Sequence, residues 1–263
     1  MEADELLVEQ KGHVAVITLN RPESLNALTM SMMERFTTEC ARMNDDPEVR
    51  VVVVTGAGRG FCSGLDLRKN AIGDPKRRNI YSMLDYGAHP IARLRTFAKP
   101  TIAAVNGVAA GGGLGLALAC DLRIAAEEAR FSAVFANIGM PVQDAVGAFL
   151  PQVVGIPKAL EMIYTARMVG GVEAHEIGLA NEVVPKAQLM ERAMALAAQI
   201  AAGPPVALAM SKQIVYRSWA KPLDDQLALQ NLGSFLNTAY ASHDVTEAMS
   251  AFSEKRKPAF KGP

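Results

Sequence analysis

The chain has 263 residues, half of them apolar and about a fifth charged, and its 27 Lys+Arg balance 27 Asp+Glu, which leaves no electrostatic case for a nucleic-acid partner or an acidic surface. Cys40, Cys62 and Cys120 are far apart and odd in number, which argues against a disulfide framework and suits a reducing compartment; His13, His89, His175 and His243 lack metal-ligand spacing, so no metal is expected. No apolar run approaches the roughly 20 residues a membrane span needs, and the acidic start MEADELLVEQ has no secretory apolar region, so a cytoplasmic protein without a membrane partner is expected.

Leu6–Gln10 and Val14–Leu19 are apolar-rich runs around Lys11-Gly12-His13, which predicts a hairpin. A helix is predicted from about Thr29 to Met43, closed by Asn44-Asp45-Asp46-Pro47. Arg50–Thr55 is a β-branched run of the kind found in strands buried on both faces. The stretch GAGRGFCSGLD (56–66) reads as a glycine-rich loop, and Lys69–Arg78 is polar and irregular. A helix is expected from about Asn79 to Thr96, then a buried strand at Thr101–Val105 and a turn at Asn106-Gly107. Gly111-Gly112-Gly113 leads into an apolar helix over Leu114–Cys120, followed by a strand at Asp121–Ala126. Phe131–Ile138 and a loop to Val146 follow, then short helices at Pro157–Thr165 and Glu173–Gly178 and a last strand at Asn181–Val184. Helices over Gln188–Ala202, Val206–Arg217, Pro222–Tyr240 and Val245–Arg256 complete the chain. Strand–helix alternation followed by a helical tail predicts an α/β core, residues 1–186, with a helical region at 187–263.

Three glycines at the mouth of a helix leave backbone N–H groups bare in a place where the helix dipole favours negative charge. That charge could be a phosphate, or one that appears only during a reaction. A resident nucleotide fits poorly. Gly56-Ala57-Gly58-Arg59-Gly60 has the spacing GxGxG and runs into Phe-Cys-Ser, and neither glycine cluster ends in the Gly-Lys-Ser/Thr of a phosphate loop.

The motifs NRPESLNAL (20–28), VVVVTGAGRGFCSGLDL (51–67), KPTIAAVNGVAAGGGLGLALACDLRIA (99–125), GLANEVVP (178–185) and AFSEKRKPAFKG (251–262) together resemble the enoyl-CoA hydratase/isomerase (crotonase) superfamily over nearly the whole chain. The resemblance implies a crotonase-like spiral of ββα units with an α-helical C-terminal trimerisation region, a homotrimer or dimer of trimers, and an acyl-CoA thioester as substrate. CoA would enter as part of that substrate, with no other cofactor. By motif position the backbone N–H groups of Leu65 and Gly112 would form an oxyanion hole for the thioester. Leu25, Ala27, Ser63, Gly64 and Asp66 would frame the CoA ester. Arg68 and Lys69 could reach a phosphate, with a solvated surface role as the other reading of both.

Hydratases of that superfamily hold water between two glutamates, which fits a reaction needing one group to activate water and another to supply a proton. The corresponding positions here are Gly115 and Phe135, so hydration by that pair is not expected. One acid remains in the region, Asp144, with a spacing one residue longer than in several relatives, where Gln143 would take its place. Asp144 is expected to shuttle a proton along an enoyl chain, with a loop turn or cap as its other reading. If it lined an apolar pocket with Phe131, Phe135 and Phe149, desolvation would raise its pKa. The run GVAAGGGLGLALACDLRIA is also similar to that of 4-chlorobenzoyl-CoA dehalogenases. That alternative makes Asp144 a nucleophile and His89 the base that activates water, with Phe135 against a flat ring. A CoA-ester binding protein without turnover is the third reading.

Overall fold

The computed structural model describes residues 4–68, 90–231 and 238–262. A six-stranded sheet runs in the order β1 (Leu6–Lys11), β2 (Val14–Leu19), β3 (Val51–Gly56), β5 (Thr101–Val105), β7 (Leu122–Ala126), β10 (Glu182–Val184). Only β1–β2 is antiparallel: the hairpin pairs Leu6 with Leu19 and Lys11 with Val14, and every other neighbour in this sheet is parallel. A second sheet, in the order β4 (Gly60–Cys62), β6 (Val108–Ala110), β8 (Arg130–Ser132), β9 (Val169–Gly170), is parallel except for β8–β9.

The long strands are apolar on both faces because both faces of the large sheet are covered. Side chains alternate along a strand, so Val14, Val16, Val51, Val53, Ile102, Ala104 and Ile124 form one core with α7 (Leu189–Ala201). Leu189, Ala193, Ala197 and Ala201 recur every four residues on the buried face of that helix, and three alanines let it lie close to the strands. Ala15, Ile17, Val52, Val54, Ala103 and Val105 point the other way, into the larger core with α1 (Met30–Asp45) and α3 (Gly112–Ala119). Helix α1 starts at Thr29, whose hydroxyl accepts from Met32 N–H at 3.1 Å, and it buries Met32, Met33, Phe36, Cys40 and Met43. Every residue of α3 is buried, so this helix has no polar face and serves as the centre of the larger core.

The chain continues through α2 (Pro90–Thr96), placed before β5, and α4 (Val146–Val154), α5 (Ile156–Thr165) and α6 (Gly171–Glu176). The last helices are α8 (Pro205–Ser218), α9 (Leu223–Asn231) and α10 (His243–Glu254). The helix expected from Asn79 is described from Pro90 onward; His89, Lys69 and residues 232–237 of the expected Pro222–Tyr240 helix lie outside the described residues. Several segments differ from expectation, among them α4, which was not predicted between the loop to Val146 and the helix at Pro157. The loop read at 56–66 contains β4, and β6, β8 and β9 were not predicted; all four are only two or three residues long. Helix α3 begins at Gly112 rather than Leu114, since packing in the core overrides the weak helix propensity of glycine.

Candidate active site

The site is built where the end of β4, the mouth of α3 and the loop before α4 meet. Leu65 forms an isolated parallel bridge with Leu28. Leu28 donates to the Gly64 carbonyl at 2.8 Å and Asp66 donates to the Leu28 carbonyl at 2.9 Å. In a parallel bridge of this kind the residue between the two bonded neighbours turns its own N–H and C=O to the opposite side, so the Leu65 N–H faces away from Leu28. Gly64 has a φ of +98°, and a Cβ on it would lie 2.9 Å from the Ala110 carbonyl and 3.2 Å from Gly112 N. Only glycine lets these two backbones approach so closely. Gly112 opens α3 and belongs to the first turn, whose N–H groups have no intrahelical acceptor and sit at the positive end of the dipole. The segment that carries Leu65 and the first turn of α3 are therefore brought together by one glycine contact.

Asp144 stands over this mouth. A Cβ on Gly112 would lie 2.8 Å from Asp144 Oδ2, and a Cβ on Gly115 would lie 2.3 Å from the Asp144 main-chain oxygen. Asp144 and Ala145 have φ values of +53° and +58°, a conformation that costs an ordinary residue of order 1–3 kcal/mol. The bend is held downstream by bonds from Val146 N to the Gln143 carbonyl and from Ala148 and Phe149 N to the Ala145 carbonyl. Gln143 is exposed, and it is Asp144 that is turned onto α3. Phe135, in a 3₁₀ turn at Val134–Ile138, is buried with its ring 3.9 Å from where a Cβ on Gly111 would be. Phe131 is buried in β8, and the Phe149 ring carries the Arg95 guanidinium at 4.3 Å. Asp144 itself is half-buried. Burial pushes the neighbouring Cys62 thiol up to about 12; a hydrogen bond from Gly64 opposes this and the Asp144 charge adds to it. A thiol held so high stays protonated and makes a poor nucleophile.

The residues assigned to the CoA ester lie along two adjoining loops. Leu25 adopts φ +52° and closes the 3₁₀ turn Pro22–Ser24, and its carbonyl accepts from Ser63 N at 3.0 Å. The Ser63 hydroxyl donates to the Ser24 carbonyl at 3.1 Å. Ala27 is buried, its carbonyl taking an Arg21 N–H at 2.5 Å. Asp66 pairs with the Arg21 guanidinium at 2.9 Å and accepts from Arg68 N at 3.2 Å, while Arg68 is exposed. Asp66 thus acts within the protein, tying the loop that carries Leu65 to the loop at 21–28.

Three polar residues of this frame were not singled out from the sequence. Arg21 has only 8% of its side chain exposed and is paired with Glu5 at 3.1 Å as well as Asp66. Asn26, at φ +58°, and Asn106 both donate to the Gly60 carbonyl, at 2.8 and 3.0 Å. Asparagine tolerates the left-handed conformation better than most residues, which is the one local signal Asn26 carried. Among the described residues no group of three or more His, Cys, Asp or Glu could hold a metal ion.

The segment carrying Leu65, the mouth of α3 and the Asp144 carboxylate thus meet in one place. The enoyl-CoA hydratase/isomerase family model matches residues 9–263. The chain is 36% identical over 261 residues to a short-chain-enoyl-CoA hydratase from Clostridium acetobutylicum, covering 98% of this chain and 97% of the relative. It is 35% identical over 260 residues to an (E)-benzylidenesuccinyl-CoA hydratase from Thauera aromatica, covering 97% and 98%. The crystal structure of an enoyl-CoA hydratase from Bacillus anthracis superposes with a TM-score of 0.92 at 32% identity, over 99% of this chain and all of that one. The chain belongs to the enoyl-CoA hydratase/isomerase family, within the crotonase superfamily.

Proposed function

We propose that this family member is an enoyl-CoA isomerase, in which Leu65 and Gly112 hold the thioester oxygen and Asp144 moves the proton. The observation that carries the reading is the carboxylate of Asp144 against Gly112, with Gly115 and Phe135 in the two positions where a hydratase would carry glutamates. The Asp144 carboxylate takes a proton from the carbon next to the thioester of a 3-enoyl ester. The electron pair delocalises onto the thioester oxygen, where the Leu65 and Gly112 N–H groups meet it. The same carboxyl then returns the proton two carbons further along, giving the 2-enoyl ester. Each oxyanion donor of this kind is worth about 3–4 kcal/mol of barrier. Addition of water needs a group to activate the water and another to protonate carbon, and neither Gly115 nor Phe135 can move a proton. The relatives named above are called hydratases, and this chain parts from the two-glutamate pattern at both positions. CoA enters as part of the substrate, and charge developing on the oxygen is met by N–H donors rather than by a resident metal. A homotrimer or dimer of trimers is part of the same proposal, as is a reducing, cytoplasmic setting, which the three buried free thiols suit.

The experiment is an assay of purified protein with 3-enoyl-, 2-enoyl- and haloaryl-CoA esters. Isomerisation is expected, with Asp144→Asn lowering kcat by about 10²–10⁴-fold while an unreactive acyl-CoA binds as before; asparagine is chosen because it tolerates the φ of +53° at this position. Appreciable hydration of crotonyl-CoA, or isomerisation that survives in Asp144→Asn, overturns the reading. Hydrolysis of a haloaryl ester supports the dehalogenase-like alternative with Asp144 as nucleophile and His89 as base, and binding without turnover of any ester supports a CoA-ester binding protein.

A further inference from the structure

We infer that Gly115 is a positioning residue that sets how deeply the Asp144 carboxylate reaches toward Gly112, an inference that rests on the role proposed above for Asp144. Gly112 and Gly115 are three residues apart in α3, so they share one face of its first turns. Together they make a notch without Cβ atoms, and Asp144 fills both ends of it. Its carboxylate oxygen lies 2.8 Å from the Cβ position of Gly112 and its main-chain oxygen 2.3 Å from that of Gly115. The second contact involves backbone, which cannot rotate away as the tip of a long side chain can. The Cβ position of Gly115 is closed from another side by Ile91 Cδ1 at 2.8 Å, and Ile91 is itself buried. A methyl group at 115 would therefore have to push the main chain of Asp144 outward by about 1 Å to reach ordinary van der Waals contact. The bend at Asp144 and Ala145 is anchored downstream by α4, whose Val146 and Leu150 are buried in the core. On the side of α3, the bare Cα of Gly115 admits it. Gly115 is thus more than the site of a missing acid: its lack of a side chain is what seats the acid at 144.

The test is a cycle of Gly115→Ala and Asp144→Glu, read by kcat for isomerisation and by titration with an unreactive acyl-CoA. A displacement of about 1 Å at a reacting group can cost about 10²-fold in rate, so G115A is expected to lower kcat by about that factor per folded site, with the affinity for the unreactive ester unchanged. Asp144→Glu alone, with the backbone still seated, is expected to overshoot and lose at least about tenfold. In the G115A background the same added methylene is expected to restore rate, so the effect of Asp144→Glu changes sign. A merely structural role for Gly115 leaves kcat per folded site unchanged in G115A and the effect of Asp144→Glu the same in both backgrounds, and either result overturns the inference. Should G115A not fold, D144E in the otherwise unaltered protein still decides, since full activity there means that depth does not matter. Should the unaltered protein turn over no enoyl ester, the functional reading fails, and the seat is tested by a crystal structure of G115A: an Asp144 backbone in its original place overturns it.

Discussion

Gly64 does for the proposed oxyanion hole what Gly115 does for the proposed acid. Its Cβ would meet the Ala110 carbonyl at 2.9 Å in a backbone conformation, φ +98°, that side chains rarely adopt, so Gly64→Ala must part the loop that carries Leu65 from the mouth of α3. Losing the alignment of one donor typically costs about 10²–10³-fold in kcat, and G64A is expected to show a loss of that order in steady-state assays. A fall in Tm is expected beside it, because the same strain acts on the folded state. Asp66 and Arg21 form the other side of this arrangement. The buried guanidinium meets the Glu5 and Asp66 carboxylates at close range, Glu23 at 4.0 Å, and the Ala27 carbonyl, so the segment on either side of Leu65 is tied down by Leu28 from one direction and Arg21 from the other.

Among the elements, the long strands and α1 were legible because their signals are local: the run of valines at 51–54, the alternation around Gly12, and a capping threonine ahead of a periodic methionine and phenylalanine pattern. The second sheet was not, since strands such as Gly60–Cys62 and Val108–Ala110 are too short and too rich in small residues to show a period, and exist because their neighbours pair with them. At the site, the motif pointed to Leu65 and Gly112 as donors, whereas the turn at Asp144 had no such signal: an Asp-Ala pair with positive φ has no composition to announce it, and the bare Cα that makes room for it lies about thirty residues away at Gly115. The C-terminal helix offers a pH test. Arg256 grips Glu247 with two bonds, at 2.5 and 2.9 Å, and Ala259 N donates to the same carboxylate at 2.7 Å, which holds its pKa down at about 2 against an ordinary 4.5. A depressed carboxyl stabilises the fold above its unfolded pKa, and that contribution is lost as pH falls from about 4.5 toward about 2. The protection factor of the Ala259 amide and its neighbours, observed exchange relative to the intrinsic rate at each pH, is expected to fall across that acid window, and Glu247→Gln to lower it at neutral pH already.

On the scale of the whole molecule, the outer surface carries apolar groups that a lone subunit does not cover. Ile156, Leu160 and Tyr164 are exposed at successive turns along α5, and Trp219, just past α8, and Leu223 and Phe252, on α9 and α10, are exposed as well. Exposed apolar groups in line along one helix face, as on α5, fit an interaction site, and they support the proposed assembly. Sedimentation equilibrium is expected to give a mass three or six times the 28.1 kDa of the chain, with Tyr164→Glu shifting the population toward smaller species. A mass of one chain at micromolar concentration speaks against the trimer. The zero net charge fits the same picture, since it imposes no long-range repulsion between like subunits.

The Leu28–Leu65 bridge has a consequence for how this protein would look in a mutational scan. The donor proposed at position 65 is a main-chain N–H, which nearly every side chain leaves in place, so exchanging leucine for alanine or methionine is expected to remove nothing that the proposed reaction uses. A scan read by growth or turnover would score Leu65 as permissive and pass over half of the proposed oxyanion hole. Replacing the amide at that position with an ester linkage, which deletes the one hydrogen and keeps the shape, is the change to which the enzyme would respond.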